Sequence, residues 1–225
     1  MFVRDYMTKH PVMVAPSASL VDAQSIMADA HVRHLPVTEE GKRLAGLVTW
    51  QTLRISPSDL SSLNVWEITR YLSDVRVKDV MIKRKDVITI VPDTTIEEAA
   101  YRMVQNKIGC LPVTEEGIVV GIITDGDMLI QLTRLLGMAH KGWRATIRVL
   151  DRKGEFAKIT AALAAKGWGI YSSGSVPAPK KDGYWDIIIK VRNVPKDDLV
   201  ATLTAIPEQD LLDIRETVDL GDLGK

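Results

Sequence analysis

The sequence predicts an α+β protein in two parts, a duplicated pair of small αβ units followed by a separate βαββαβ unit. Three observations carry this prediction. The heptapeptide LPVTEEG stands at residues 35–41 and again at 111–117, and identity of that length within one chain marks an internal repeat. The flanks agree: VRDYM, SLVDAQSIM and AGLVT around the first copy correspond to VKDVM, TIEEAAYRM and VGIIT around the second. From Trp143 a new pattern begins, in which Ala145, Ile147 and Val149 alternate with Arg144, Thr146 and Arg148, as in a strand with one wet face.

Within the second repeat, Ile96, Ala99, Ala100, Met103 and Val104 form the apolar stripe of a helix packed on one side, and Thr95 with Glu98 makes a capping box at its start. Residues 111–113 and 118–123 read as two short strands joined by a turn at Glu115-Glu116-Gly117. A helix over 127–136 then ends at Gly137. A one-sided sheet of this size is not covered by its own two helices, so two copies pack together to bury it. The expected boundaries are 1–64 for the first repeat, 65–76 for a connecting helix after the polar loop at 56–64, and 77–138 for the second repeat.

In the C-terminal part the chain turns at 151–154, and Phe156, Ile159 and Leu163 share the face of a helix closed by Gly167. Residues 169–176 form a second strand. Trp185, Ile187, Ile189 and Val191 line a third, Leu199, Val200, Leu203 and Ile206 mark a helix beginning near Pro195, and 211–218 form the last strand. The order βαββαβ over 143–218 is ferredoxin-like, a topology shared by many unrelated activities.

The 29 basic and 29 acidic residues cancel, so no overall field favours nucleic acid or an anionic membrane surface. Cys110 is the only cysteine, which excludes an internal disulfide, argues against a zinc cluster and suits a reducing cytoplasm. The first ten residues lack the apolar core of a signal peptide, and the apolar runs are single strands, short of the ~20 residues a membrane span needs. A soluble, cytoplasmic protein is expected. His10, His31 and His140 lack ligand spacing, so no metal site is expected. The pairs Glu39-Glu40 and Glu115-Glu116 read as solvated turn acids, and no nucleophile elbow, P-loop or HExxH is present, so no catalytic residue is assigned.

The LPV strands, the segment Gly121-Ile122-Ile123-Thr124-Asp125-Gly126-Asp127 and the VKDVM opening resemble a tandem pair of CBS domains over about residues 1–138. The resemblance implies a nucleotide in the cleft between the repeats, held by Thr8, Val12, Val32, Arg33, His34, Ile122, Thr124, Gly126 and Asp127. The chemistry agrees with that implication. Asp127 can accept two hydrogen bonds from a ribose diol, Thr124 and the first N–H groups of the following helix offer donors to phosphate, and Arg33 and His34 add charge-assisted contacts from across the cleft. The opposite cleft has Thr52 in place of Asp127, Trp50 in place of Asp125, and Gly109-Cys110 in place of Arg33-His34, so one dominant site per chain is expected.

Asp151-Arg152-Lys153-Gly154-Glu155-Phe156 with Ile159 resembles the ACT-domain pattern D-x-P-G-x-L-x-x-I, with Lys153 where proline is usual and Phe156 where leucine is. That resemblance implies an amino-acid site at Gly154, Glu155 and Phe156, closed by a neighbouring subunit. A CBS pair followed by an ACT domain resembles the acetoin utilization protein B family. The whole implies a regulatory, non-catalytic sensor, a homodimer or higher homo-oligomer, that takes AMP, ADP, ATP or S-adenosylmethionine as a regulatory ligand rather than a cofactor. The alternative is an oligomerisation or interaction module without a ligand.

Overall fold

The computed structural model describes residues 1–53, 74–138 and 140–217; residues 65–73 of the connecting helix expected at 65–76, and Val218, lie outside them. The chain divides into two units, Met1–Met128 and Leu129–Lys225. The first holds, in chain order, α1 (Val3–Tyr6), β1 (Thr8–Lys9), α2 (Leu20–Asp29), β2 (His34–Thr38), β3 (Leu44–Thr49), α3 (Val77–Val80), β4 (Ile82–Lys83), α4 (Ile96–Asn106), β5 (Cys110–Glu115) and β6 (Ile118–Thr124). Helix α5 (Asp125–Leu135) begins in this unit and ends in the next, so the boundary falls inside a continuous helix.

Each LPVTEEG heptapeptide forms one strand and the turn of a hairpin, β2 with β3 and β5 with β6. In the second hairpin Glu116 and Gly117 both take positive φ, 51° and 84°, which gives the tight two-residue turn that suits strand twist. The first hairpin has one more residue, and Glu40–Lys42 form a 3₁₀ turn with Gly41 and Lys42 at positive φ.

The two repeats exchange their opening segments. Strand β1 pairs with β6 of the second repeat, and β4 pairs with β3 of the first. Val3 is buried in the core of the second repeat with Ile96, Ala99 and Leu111, while Val77 is buried in that of the first with Leu20, Ala23 and Leu35. Glycine makes this contact tight. A Cβ on Gly46 would lie 2.5 Å from the Ile82 carbonyl, and one on Gly121 would lie 2.4 Å from Met7 Sδ. Leu44, Leu47, Val87, Cys110, Val119 and Ile122 then form an apolar layer drawn from both repeats.

Helix ends correct two sequence readings. Thr95 accepts from Glu98 N–H at 3.2 Å, but the Glu98 carboxylate turns to Arg102, so only half of the expected capping box forms. The complete box belongs to α2, where Ser19 and Asp22 bond reciprocally. The last helix of the repeats begins two residues earlier than expected, at Asp125 rather than 127, and ends at Leu135 before Gly137 at φ 71°.

The second unit is the expected βαββαβ: β7 (Gly142–Leu150), α6 (Glu155–Ala165), β8 (Ile170–Pro177), β9 (Tyr184–Val191), α7 (Lys196–Thr204) and β10 (Asp210–Thr217). The sheet order is β10-β7-β9-β8, all neighbours antiparallel. Ile147, Ile189, Ile159, Leu163, Leu199 and Leu203 fill its core. Phe156 departs from the expected helical face. It is exposed, and Glu155 takes the buried place instead. Lys190 is also buried, and its ammonium donates to the carbonyls of Gly137 and His140, covering backbone acceptors beyond the end of α5.

Candidate functional site

Two cavities lie between the repeats, related by the duplication. The smaller, about 320 Å³, is lined by Thr8, Val12, Val32, Arg33, His34, Ile122, Thr124 and Asp127, with His10, Pro11 and His31. Their convergence follows from the exchange of openings. Pairing of Thr8 with Ile122 carries the N-terminal segment of one repeat onto the β6 strand of the other, and the residues before β2 face the start of α5.

Of the nine residues expected here, Gly126 is not on the wall, and its N–H donates to Asp125 Oδ1 at 2.8 Å. Neighbouring donors are engaged too. Asp125 N–H bonds the Gly109 carbonyl at 3.0 Å, and Asp127 N–H bonds Thr124 Oγ1 at 3.3 Å. The first N–H groups of α5, expected to face phosphate, are therefore satisfied within the protein. Arg33, His34, His10 and His31 are the cationic and imidazole side chains on the cavity wall.

Asp127 caps its own helix. Its Oδ2 accepts from both Thr124 N–H and Thr124 Oγ1 at 2.8 Å. Among the described residues Oδ1 accepts no hydrogen bond, and Asp127 stands on the cavity wall. In the first repeat the same cap is neutral: Thr52 Oγ1 accepts from Thr49 N–H at 2.9 Å, and Thr49 Oγ1 from Thr52 N–H at 3.2 Å. One backbone geometry thus carries a negative charge in one cleft and a hydroxyl in the other.

The larger cavity, about 650 Å³, has Trp50, Thr52, Gly109, Cys110 and Asp125 on its walls together with Lys107 and Asn106. Burial, with the nearby Asp125 charge, pushes the Cys110 thiol up to about 12, so it stays protonated and unreactive at neutral pH. Arg33 and His34 line both cavities. Burial pulls the His34 imidazole below its ordinary value; the Asp125 carboxylate opposes that shift and Arg33 adds to it.

His10 and His31 are exposed residues. Both hold positive φ, 50° and 53°, and both line the smaller cavity. Histidine tolerates that conformation better than most residues. The sequence signal was their position, two residues after Thr8 and immediately before Val32. Among the described residues no group of three His, Cys, Asp or Glu is placed to hold a metal ion.

In the second unit a cavity of about 430 Å³ is lined by Gly154, Glu155 and Phe156 with Arg152, Ser173, Ser175 and Trp185. Gly154 adopts φ 93°, a conformation that favours glycine at the start of α6. Glu155 is not a donor to this space. Its carboxylate accepts from Gln209, Arg152 and Lys158 in a buried cluster.

The CBS domain family matches residues 3–56 and 77–134, one span per repeat. A putative acetoin utilization protein from Vibrio cholerae is 32% identical, covers 61% of this chain and 94% of its own, and superposes with a TM-score of 0.52. This chain belongs to the CBS-domain family. The uncharacterized protein MJ1225 of Methanocaldococcus jannaschii is 35% identical over 134 residues, 56% of this chain and 45% of that protein, so the chain spans less than half of this relative. The CBS-pair protein CBSX2 of Arabidopsis thaliana, solved in complex with AMP, is 26% identical, covering 59% of this chain and 96% of its own with a TM-score of 0.49. No helix among the described residues is long and apolar enough to cross a membrane.

Proposed function

We propose that this CBS protein is a regulatory sensor, without catalytic activity of its own, that holds one adenine nucleotide or adenosyl compound in the smaller cleft. One observation carries the reading: eight residues assigned to a nucleotide site from sequence lie on the walls of a single cavity, although they come from separate segments of two repeats. The cavity volume, about 320 Å³, sits at the lower end of the range for small-molecule sites, about 300–1,000 Å³, and suits one mononucleotide. Val12, Val32 and Ile122 offer apolar surface to a base, Asp127 an acceptor to ribose, and Arg33 with His34 donors to phosphate.

The C-terminal unit in this reading is an ACT-type domain, and the cavity beside Gly154 and Phe156 takes an amino acid. The protein as a whole is then a cytoplasmic sensor of the acetoin utilization protein B kind. A ligand that binds only the folded state raises its stability by about 2.7 kcal/mol at a hundred times its Kd. Thermal denaturation with AMP, ADP, ATP, S-adenosylmethionine and adenosine is expected to show an upward shift with at least one of them. No shift and no calorimetric heat with any at millimolar concentration would remove the nucleotide reading.

A second reading, an oligomerisation module, is favoured by one feature. Helix α5 exposes Leu129, Leu132 and Leu135 at 62%, 50% and 55% while burying Gln131, so its outward face is apolar. Both readings expect a homo-oligomer, since such a face is covered by association. A monomeric mass by light scattering at micromolar concentration would contradict both on this point.

A further inference from the structure

Arg33 and Asp125 meet across the boundary between the repeats, with Nη2 of the guanidinium 4.0 Å from Asp125 Oδ1. This charge pair occurs in one of the two equivalent places only. The equivalence is fixed by matching backbone bonds, Asp125 N–H to the Gly109 carbonyl and Trp50 N–H to the Arg33 carbonyl. Gly109 therefore stands where the other repeat has Arg33, and Trp50 where it has Asp125. A pair of opposite charges in one place faces a glycine and an indole in the other.

The two partners are not held alike. The Asp125 carboxylate, 57% exposed on a short stem, is tied to the backbone: Oδ1 accepts the Gly126 N–H at 2.8 Å, and the absence of a Cβ on Gly109, which would come within 3.3 Å of Oδ2, leaves it room. The Arg33 side chain is 75% exposed on a long flexible stem. Arg33 lines both cavities, whereas Asp125 lines only the larger. A phosphate in the smaller cleft and the carboxylate in the wall of the larger one thus draw on the same guanidinium, which cannot satisfy both at full strength.

We infer that Asp125 is a specificity-determining residue: it competes with the ligand's phosphate for Arg33 and so lowers the cleft's preference for charged nucleotides over uncharged adenosyl compounds. This rests on the nucleotide reading above. An exposed pair is worth at most about 1 kcal/mol, so its release changes affinity by less than about tenfold. Asp125→Asn keeps an acceptor for the Gly126 N–H and removes only the charge, which makes it the informative variant.

The test is a double-mutant cycle read by calorimetric titration of the whole chain with AMP and with adenosine. Asp125→Asn is expected to tighten AMP roughly three- to fivefold and to leave adenosine within a factor of about 1.5. In an Arg33→Ala background the same substitution is expected to leave AMP unchanged. Equal tightening of AMP with and without Arg33 would mean that Asp125 simply repels phosphate through space, and would overturn the competition. So would an Asp125→Asn variant whose AMP affinity matches wild type. Failure of wild type to bind either AMP or adenosine is distinguishable from both outcomes, and would take down the nucleotide reading together with the inference built on it.

Discussion

Asp127→Ala is expected to weaken AMP binding by about ten- to over a hundredfold, because a hydrogen bond to a charged acceptor contributes about 1.5–3 kcal/mol and its loss leaves ribose hydroxyls against a methyl group. The carboxylate has a second task, accepting from Thr124 N–H and Oγ1 at the head of α5. Loss of such a cap costs about 1 kcal/mol of stability. Asp127→Asn separates the two, since its amide oxygen still caps the helix while the charged acceptor is gone. The melting temperature of unliganded Asp127→Asn should therefore stay near wild type while AMP affinity falls. Thr52→Ala is the control, as its hydroxyl makes the equivalent bond to Thr49 N–H at the position where the other repeat has the Asp127 carboxylate. Equal affinity losses from Thr52→Ala and Asp127→Ala would place the nucleotide in the wrong cleft.

Glu155→Gln should destabilise the C-terminal unit by about 1.5–3 kcal/mol, the scale of hydrogen bonds lost to a buried charged group whose cationic partners are partly exposed. The Glu155 side chain is only 3% exposed. Burial pushes its carboxyl up, but hydrogen bonds from Gln209, Arg152 and Lys158 outweigh burial and hold it down to about 2. In the unfolded chain a glutamate titrates near ~4.3. The folded value is the depressed one, so this stabilisation is fully present above the unfolded value and fades as pH falls through the window from about 4.5 to 2. Urea unfolding followed at pH 6 and at pH 2.5 should show a wide gap between wild type and Glu155→Gln at the higher pH and a much narrower one at the lower. A gap of the same size at both would mean that shape, and not charge, makes Glu155 necessary.

The duplication was legible because the identical heptapeptide fixed both hairpins and put their flanks in register, and the C-terminal strands were legible from alternation. The candidate cleft was expected through the resemblance to a CBS pair, and eight of the nine residues it implied line one cavity. What escaped has physical reasons. Strands β1 and β4 are two residues long, too short for any period to show, so their exchange between repeats was invisible. The first N–H groups of α5 read as open donors, since nothing in the sequence says that Asp125 folds back onto Gly126. Glu155, placed beside a ligand by the ACT resemblance, does line the cavity, but its bonds to Gln209, Arg152 and Lys158 were not foreseen, since Gln209 is distant in sequence. Phe156 read as core from its spacing, yet the helix turns its Ile159 and Leu163 face inward and leaves Phe156 at a cavity.

The exchanged openings also impose an order on synthesis. Thr8 finds its pairing partner only at Ile122, and Val3 its buried place only among side chains of the second repeat. At ordinary translation rates of about 5–20 residues per second, the first strand waits roughly 6–23 s for that partner to leave the ribosome. Until residues 77–83 have been made, earlier in that wait, the first repeat also lacks β4 and Val77, so the edge of β3 beside Gly46 is uncovered. The pair is thus a single cooperative object: a nascent chain halted at residue 64 has the first repeat's sequence without its closing piece, and a permuted chain that keeps residues 1–9 attached to the second repeat would close it early.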